Sequence, residues 1–320
     1  MKNKAALLSL LQGKMSFLLT AHIFPDGDNL GSLMALRAGL LKLGKRVQVT
    51  IDDSVPAAYA FLEGSQSILR PEMVNNDYEI IIVLDSSSID RIGAVQNLVK
   101  QNIPMINIDH HISNTGFGTV QYIDEQAAAT AEIIYQLLLD LGVALDDNIA
   151  AAIFTGIATD CGFFRYANTT PRTLSIAAEM VSHGAKPHEI SDAVEMRTVP
   201  VLKLLSRVLD SIEVSSNGKI AWLTIDQTLL SSLGANPEDT DGFINYARYI
   251  RGVEVAVLFR EVPDRGIKVS MRSRNNFDVS KTALHFGGGG HKLAAGCSFD
   301  TQMEDAKEQV LAKIREQFEK

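Results

Sequence analysis

The stretch "INIDHHISN" (106–114) joins an apolar run, ending at Ile108, to one acid and two imidazoles, Asp109, His110 and His111. Side chains alternate along an extended strand, so Asp109 and His111 are expected to face one way and His110 the other. One ion shared by all three is not the simplest arrangement. The same pattern, a short apolar run closing on a metal-type ligand, occurs in "MSFLLTAH" (15–22) at His22 and in "YEIIIVLD" (78–85) at Asp85. With "RVQVTID" (46–52) and "IPMINID" (103–109), these segments read as strands. Residues 29–44, 88–100, 129–142, 146–158 and 170–184 read as helices, the last opening near Pro171 and closing on Gly184. Short strands interleaved with helices predict an α/β fold, a doubly wound parallel sheet with helices on its faces.

The texture changes at about residue 186. Residues 187–212 look helical and connecting; 219–226, 253–262 and 266–274 are β-like, with helices expected at about 236–250, 278–286 and 302–319. The expected domains are an N-terminal α/β domain at 1–186, a helical linker at 187–214 and a smaller α/β domain at 215–320. A length of 320 residues also favours two cores. Hydrophobic residues at 46% and charged residues at 21% exclude a disordered chain. No apolar run approaches the roughly 20 residues of a membrane span. The N-terminus lacks a small-residue cleavage site and breaks its apolar runs at Gly13 and Lys14. Cys161 and Cys297 form no CxxC pair, so a cytoplasmic protein is expected. The net charge of −8 argues against tight binding to long nucleic acid, which needs many cationic contacts to phosphate. Short anions need only local positive charge, which divalent cations supply.

In open α/β sheets ligands bind beyond the carboxyl ends of the strands. His22, Asp85 and Asp109 to His111 fall there. "AHIFPDGDNLGS" adds Asp26 and Asp28 in a loop opening onto a helix, and "GIATDCGFFRYANTT" adds Asp160 after a strongly apolar helix. Singly, a strand-ending Asp reads as a helix N-cap and "PDGD" as a turn; their joint placement points to one rim. So many carboxylates repel one another unless a cation sits among them. Imidazole and carboxylate without thiolate suit Mn(II) better than Mg(II), Fe(II), Co(II) or Zn(II). The number of ligands fits two ions about 3.5–4 Å apart, bridged by a carboxylate and a water, a pair able to activate water for attack at phosphorus. His183, His188 and His285 read as surface or structural residues. Cys161 has no separate base and is not read as a nucleophile.

"AHIFPDGDNLGS", "LDSSSIDR", "IDHH" and "GIATDCGFF" resemble, in order, the four motifs of the DHH phosphoesterase family, and "SMRSR" and "FGGGGHKLAAG" resemble its DHH-associated C-terminal domain. The match spans nearly the whole chain, which looks most like the NrnA type, oligoribonucleases that also dephosphorylate 3′-phosphoadenosine 5′-phosphate. The resemblance implies two Mn(II) ions, Mg(II) or Co(II) being substitutes, one held by His22, Asp26 and Asp85 and the other by Asp28, Asp85, His110 and Asp160. It further implies catalytic roles for Asp85 as the bridge, for His111 toward substrate phosphate or the leaving oxygen, and for Asp109 in support. The expected substrates are RNA of about two to five nucleotides, in keeping with the lack of a long basic track, and nucleotide bisphosphates. The nearest alternative is a phosphodiesterase of the same family acting on cyclic di-AMP or pApA. A pyrophosphatase, a nuclease acting on long DNA and a non-catalytic nucleotide-binding protein fit less well. A homodimer is left open.

In "GIKVSMRSR", Ile267, Val269 and Met271 alternate with Lys268, Ser270, Arg272 and Arg274, giving one apolar and one basic face. The resemblance raises Arg272 and His291 to substrate contacts, followed by Gly288, Gly289 and Gly290, whose backbone can approach a phosphate. Arg165, a few residues past Asp160, is a further phosphate candidate beside its reading as a surface arginine. Phe163, Phe164 and Tyr166 suit base stacking, and core packing at least as well. The metal pair is expected in a cleft between domains that close on the substrate.

Overall fold

The computed structural model describes residues 3–263, 265–274 and 277–319. The chain forms two units, Met1–Met196 and Arg197–Lys320. In the first, the elements run α1 (Lys4–Gly13), β1 (Ser16–Ala21), α2 (Gly27–Lys42), β2 (Arg46–Val49), β3 (Ile80–Leu84), β4 (Met105–Asp109), β5 (Val120–Ile123), α3 (Thr130–Asp140), α4 (Asp147–Asp160), α5 (Pro171–Ser182) and α6 (Pro187–Glu195). All five strands are parallel, in the order β2-β1-β3-β4-β5. Both faces are apolar, as a covered parallel sheet requires. Phe17, Leu19, Ile80, Ile82, Leu84, Ile106 and Ile108 pack on one side with residues of α1 to α5. Leu18, Ile81 and Val83 pack on the other with Val74, Tyr78, Ile92 and Val95.

The strand order reverses between β1 and β3, which are adjacent although β2 lies between them in sequence. A crevice opens at such a switch point. His22 follows β1 and Asp85 follows β3, so the chain places one ligand-type residue on each side of it.

Glycines let α2 pack closely on α4, and α4 on α3. A Cβ on Gly31 would stand 2.4 Å from the Ala152 carbonyl oxygen, one on Gly27 2.3 Å from Thr159 Oγ1, and one on Gly156 2.6 Å from Ala131 Cβ. This approach brings Asp28, on α2, beside Asp160 at the end of α4.

The helix expected at 88–100 is instead a run of 3₁₀ turns, Ile89–Leu98, kinked at Gly93, whose φ is 57°. Asp52 explains the kink: its Oδ2 accepts from Ala94 N–H and leaves no room for a side chain on Gly93. β5 has only four residues, too few to announce itself as an apolar run.

The second unit contains α7 (Val199–Asp210), β6 (Glu213–Val214), β7 (Ile220–Ile225), α8 (Gln227–Leu233), α9 (Ile244–Arg248), β8 (Val255–Val262), β9 (Gly266–Ser273), α10 (Val279–His285), β10 (Gly289–His291), β11 (Ala294–Phe299) and α11 (Met303–Phe318). Residues 187–212 are thus divided, α6 belonging to the first unit and α7 to the second. The sheet order is β10-β11-β9-β8-β7-β6, antiparallel except for β7 with β8. Val257, Phe259, Ile267, Val269 and Met271 share one core with α10 and α11. On the opposite face the apolar cluster under α7, α8 and α9 draws on β7 and β8 and on no residue of β9. The helix expected over 236–250 is reduced to a 3₁₀ turn, Pro237–Thr240, and the five residues of α9, because Gly242 at φ 84° breaks it. Among the described residues no helix is long and apolar enough to cross a membrane. Both cysteines are buried thiols.

An exposed helical glycine gains about 0.5–1 kcal/mol on replacement by alanine. Gly31→Ala is expected to do the opposite, destabilising by about 1–3 kcal/mol because its Cβ meets backbone; urea unfolding gives the sign. A second prediction concerns Asp146, which caps α4 by accepting from Ile149 N–H at 3.0 Å. Burial opposes its charge, but that N–H and Lys42 outweigh it and hold its pKa below the usual range. Asp146→Ala is expected to cost about 1 kcal/mol at neutral pH. Because the folded pKa is depressed, this contribution is full above about pH 4 and disappears as pH falls through the folded pKa, so the two unfolding curves converge in acid.

Candidate metal centre

The site assembles where β1, β3 and β4 end. His22 is buried, and its Nδ1 lies 2.7 Å from the Ile23 carbonyl oxygen, which fixes the tautomer that presents Nε2 to Asp26 and Asp85. Asp26 caps α2 through Oδ1, accepting from Asn29 N–H at 3.0 Å, while its Oδ2 stands 3.9 Å from His22 Nε2. Asp85 is buried at φ 51°, a left-handed backbone seldom adopted by residues other than glycine, asparagine and aspartate. Its Oδ2 lies 3.3 Å from His22 Nε2 and its Oδ1 3.5 Å from His110 Nε2.

His110 rests its Nδ1 3.3 Å from the Ala127 carbonyl oxygen, and its Nε2 stands 3.5–3.8 Å from carboxylate oxygens of Asp28, Asp85 and Asp160. Asp109, fully buried, accepts from His110 N–H at 2.8 Å, Asn114 Nδ2 at 2.6 Å and His111 Nδ1 at 2.7 Å. Asp109 and His111 therefore share a side, as strand alternation requires. β4 ends at Asp109, however, so the chain beyond it bends and both imidazoles approach Asp85, His111 Nδ1 reaching 3.7 Å from Oδ1.

Within the first unit, three sets of described side chains bring one ligand atom each within 4.8 Å of one another: His22, Asp26 and Asp85; Asp28, His110 and Asp160; and Asp85, Asp109 and His111. Asp85 belongs to two of them. Burial and the neighbouring carboxylates of Asp85, Asp160 and Asp26 push Asp28 well above the carboxylate range, against the Ala131 N–H. Burial likewise lifts Asp160 to about 6, opposed by His110 and helped by Asp26 and Asp85. Burial also works against Asp85, but the imidazoles of His22, His111 and His110 win and hold it well below the usual range. The charge of His111 is resisted by burial, yet Asp109, Asp85 and Asp160 raise its pKa to about 9. Crowded carboxylates, imidazole nitrogens fixed by carbonyls on their far side and the absence of thiolate form a donor set that fits divalent cations.

Some of the residues that hold this site carry no metal-type signature. Asp28 Oδ2 accepts from Thr130 N–H at 2.7 Å and Oδ1 from Ala131 N–H at 2.9 Å. Helix α3, whose own N-cap Ala129 offers no side-chain acceptor, is thereby capped by a carboxylate from α2. Thr130 Oγ1 donates to Asp85 Oδ1 at 3.0 Å. Asn114 also reaches Asn107 Oδ1 and the Ser86 carbonyl, tying the turns after β3 and β4 together. The uncapped "AAAT" (127–130) before an apolar helix is the one local hint of an acceptor supplied from elsewhere.

Arg165 donates from Nε to the Gly162 carbonyl at 2.7 Å and pairs with Glu195 of α6 at 3.4 Å. Its backbone follows three left-handed residues, Gly162, Phe163 and Phe164. Phe163 and Phe164 pack against the core, Phe164 edge-on to Phe154.

In the second unit β9 alternates as expected: Ile267, Val269 and Met271 are buried, and Lys268, Ser270 and Arg272 lie on the partly exposed face beside a cavity of about 70 Å³. Arg272 donates to the Met271 carbonyl at 3.1 Å. The glycine run is not an open loop. Gly289, Gly290 and His291 form β10, paired with β11 at Gly296, Ala295 and Ala294. Side chains on Gly288 or Gly290 would strike the carbonyl oxygens of Gly296 or Ala294, whereas Gly289 has open space.

Thr130→Val removes a donor to Asp85 while keeping shape. Mn(II) affinity is expected to fall about 10–100-fold, read by titration calorimetry, with the circular dichroism spectrum retained. Unchanged affinity would mean that Asp85 is oriented without it.

Residues 16–157 match the model of the DHH family, N-terminal domain, and residues 217–320 that of the DHHA1 domain. The chain is 34% identical to the bifunctional oligoribonuclease and PAP phosphatase NrnA of Thermus thermophilus, over 99% of this chain and 94% of that protein. It is 28% identical to the protein of the same name from Bacillus subtilis, over 93% of each. In fold it is similar to an exopolyphosphatase-related protein from Bacteroides fragilis, with a TM-score of 0.88 at 24% identity, covering 98% of this chain and 95% of that one. RecJ from Thermus thermophilus, solved with Mn2+, shares the fold at a TM-score of 0.59 and 15% identity, covering 98% of this chain and 54% of that one. The chain belongs to the DHH phosphoesterase family, with a DHHA1 domain at its C-terminal end.

Proposed function

We propose that the protein is a Mn(II)-dependent phosphohydrolase that degrades RNA of about two to five nucleotides to mononucleotides and removes phosphate from 3′-phosphoadenosine 5′-phosphate. The observation that carries this reading is Asp85: one buried carboxylate faced at Oδ2 by His22 and at Oδ1 by His110 has the form of a bridge between two cations. In this reading His22, Asp26 and Asp85 hold one ion, and Asp28, Asp85, His110 and Asp160 hold the other. Such a pair neutralises charge on the phosphoryl group and acidifies water at neutral pH. Asp109, held by Asn114, keeps His111 turned so that its Nε2 serves the leaving oxygen. Arg272 and His291, with the backbone of Gly288, Gly289 and Gly290, hold the remainder of the substrate, and Arg165 is a secondary phosphate contact. The two full-length relatives named as oligoribonuclease and PAP phosphatase support the substrate class.

The test is turnover of the purified protein, with Mn(II), Mg(II) or Co(II), on pAp, pApA, cyclic di-AMP and 5′-labelled RNAs from dimers upward. Mononucleotides from the shortest RNAs together with phosphate from pAp are expected, with Mn(II) the best activator. Opening of cyclic di-AMP with little action on pAp would overturn the substrate assignment. Asp85→Ala is expected to abolish turnover and to reduce bound Mn(II) from two ions per chain, counted by elemental analysis; retained turnover would sink the bridging role.

A further inference from the structure

One surface of the second unit is not used by the reading above. Helix α9 is pinned to its unit by Ile244 and Ala247, both buried. It turns Tyr246 and Tyr249 outward at 43% and 46% exposure, their ring centres 6.4 Å apart and their planes at 72°. The Arg248 guanidinium lies 5.7 Å from the centre of the Tyr249 ring, and Arg251 is exposed just beyond the helix. No acid occurs between Asn245 and Arg251. The other end of the same segment is Ile244, which lines the cavity shared by Arg260, Lys268, Arg272 and Asp241.

Exposed aromatic rings interleaved with arginines suit single-stranded nucleic acid. Every base offers a face to stack on, the cation adds attraction to ring and phosphate alike, and neither contact requires a particular sequence. Two tyrosines side by side also bring large contact area at small entropic cost. The local positive charge matches a phosphate backbone, although the chain as a whole is acidic. We propose that Tyr246 and Tyr249, flanked by Arg248 and Arg251, form a base-stacking platform for single-stranded oligoribonucleotide. This rests on the oligoribonuclease reading for its substrate class and adds a binding site to it.

The test separates binding from cleavage. Fluorescence anisotropy of a 5′-labelled pentaribonucleotide is measured with the full chain in EDTA, for wild type, the Tyr246→Ala/Tyr249→Ala double variant and the corresponding double phenylalanine variant. Kd is expected to rise about tenfold or more in the alanine variant and to stay within about twofold in the phenylalanine variant, which keeps the stacking faces. Coincident melting curves exclude a folding defect, and Mn(II)-dependent cleavage of the same RNA is assayed in parallel. Unchanged affinity in the alanine variant, or no binding by the wild type, overturns the platform. Loss of affinity in the alanine variant, with a wild type that fails to cleave RNA, supports the platform and overturns the oligoribonuclease reading.

Discussion

The buried carboxylate of Asp85, with an imidazole at each oxygen, is the contact on which the first unit converges. Placing it at the end of β3, beside β1 at the reversal of strand order, puts ligand-type side chains on both edges of one crevice. The left-handed backbone at Asp85 and the donation from Thr130 turn the carboxylate inward, where burial would neutralise it were the three imidazoles absent. Asp28 and Asp160, with His110 as their near neighbour, are driven the other way by burial and mutual repulsion. The protein alone leaves this group of charges in conflict, which divalent cations among these side chains would relieve.

The rest of the unit is arranged to hold those charges together. Gly27 and Gly31 let α2 approach Thr159 and the backbone of α4, and Gly156 lets α4 approach Ala131 of α3, which sets Asp28 beside Asp160 and against the first turn of α3. The two hydrogen bonds that Asp28 accepts from α3 do double duty, satisfying an otherwise uncapped helix and orienting the Asp28 carboxylate. Packing and chemistry therefore share residues, and enlarging one glycine changes both.

The second unit solves a different problem. Its mixed sheet is apolar on one face under α10 and α11, whereas the apolar cluster of the other face ends at β8. The basic positions of β9 are therefore left beside a cavity rather than under a core. The β10–β11 hairpin uses its glycines for close strand pairing, so Gly288 and Gly290 are required by packing before any ligand is considered.

Much of this was legible in the sequence. Apolar runs ending at His22, Asp85 and Asp109, and the alternation in β9, are local patterns, and strand periodicity and the rule about carboxyl ends turn them into positions. Local pattern was enough for the parallel α/β character of the first unit, the set of imidazoles and carboxylates at its rim, and the two faces of β9. Long-range contacts were needed to show that residues 88–100 run as kinked 3₁₀ turns, because Asp52 lies far away in sequence; that Gly289 and Gly290 belong to a strand, because β11 pairs with it; and that Thr130, Ala131 and Asn114 hold Asp85, Asp28 and Asp109, because these partners sit on other elements. Side-chain type and period are carried by neighbouring residues, whereas hydrogen-bond satisfaction and steric clearance depend on segments that only folding brings together.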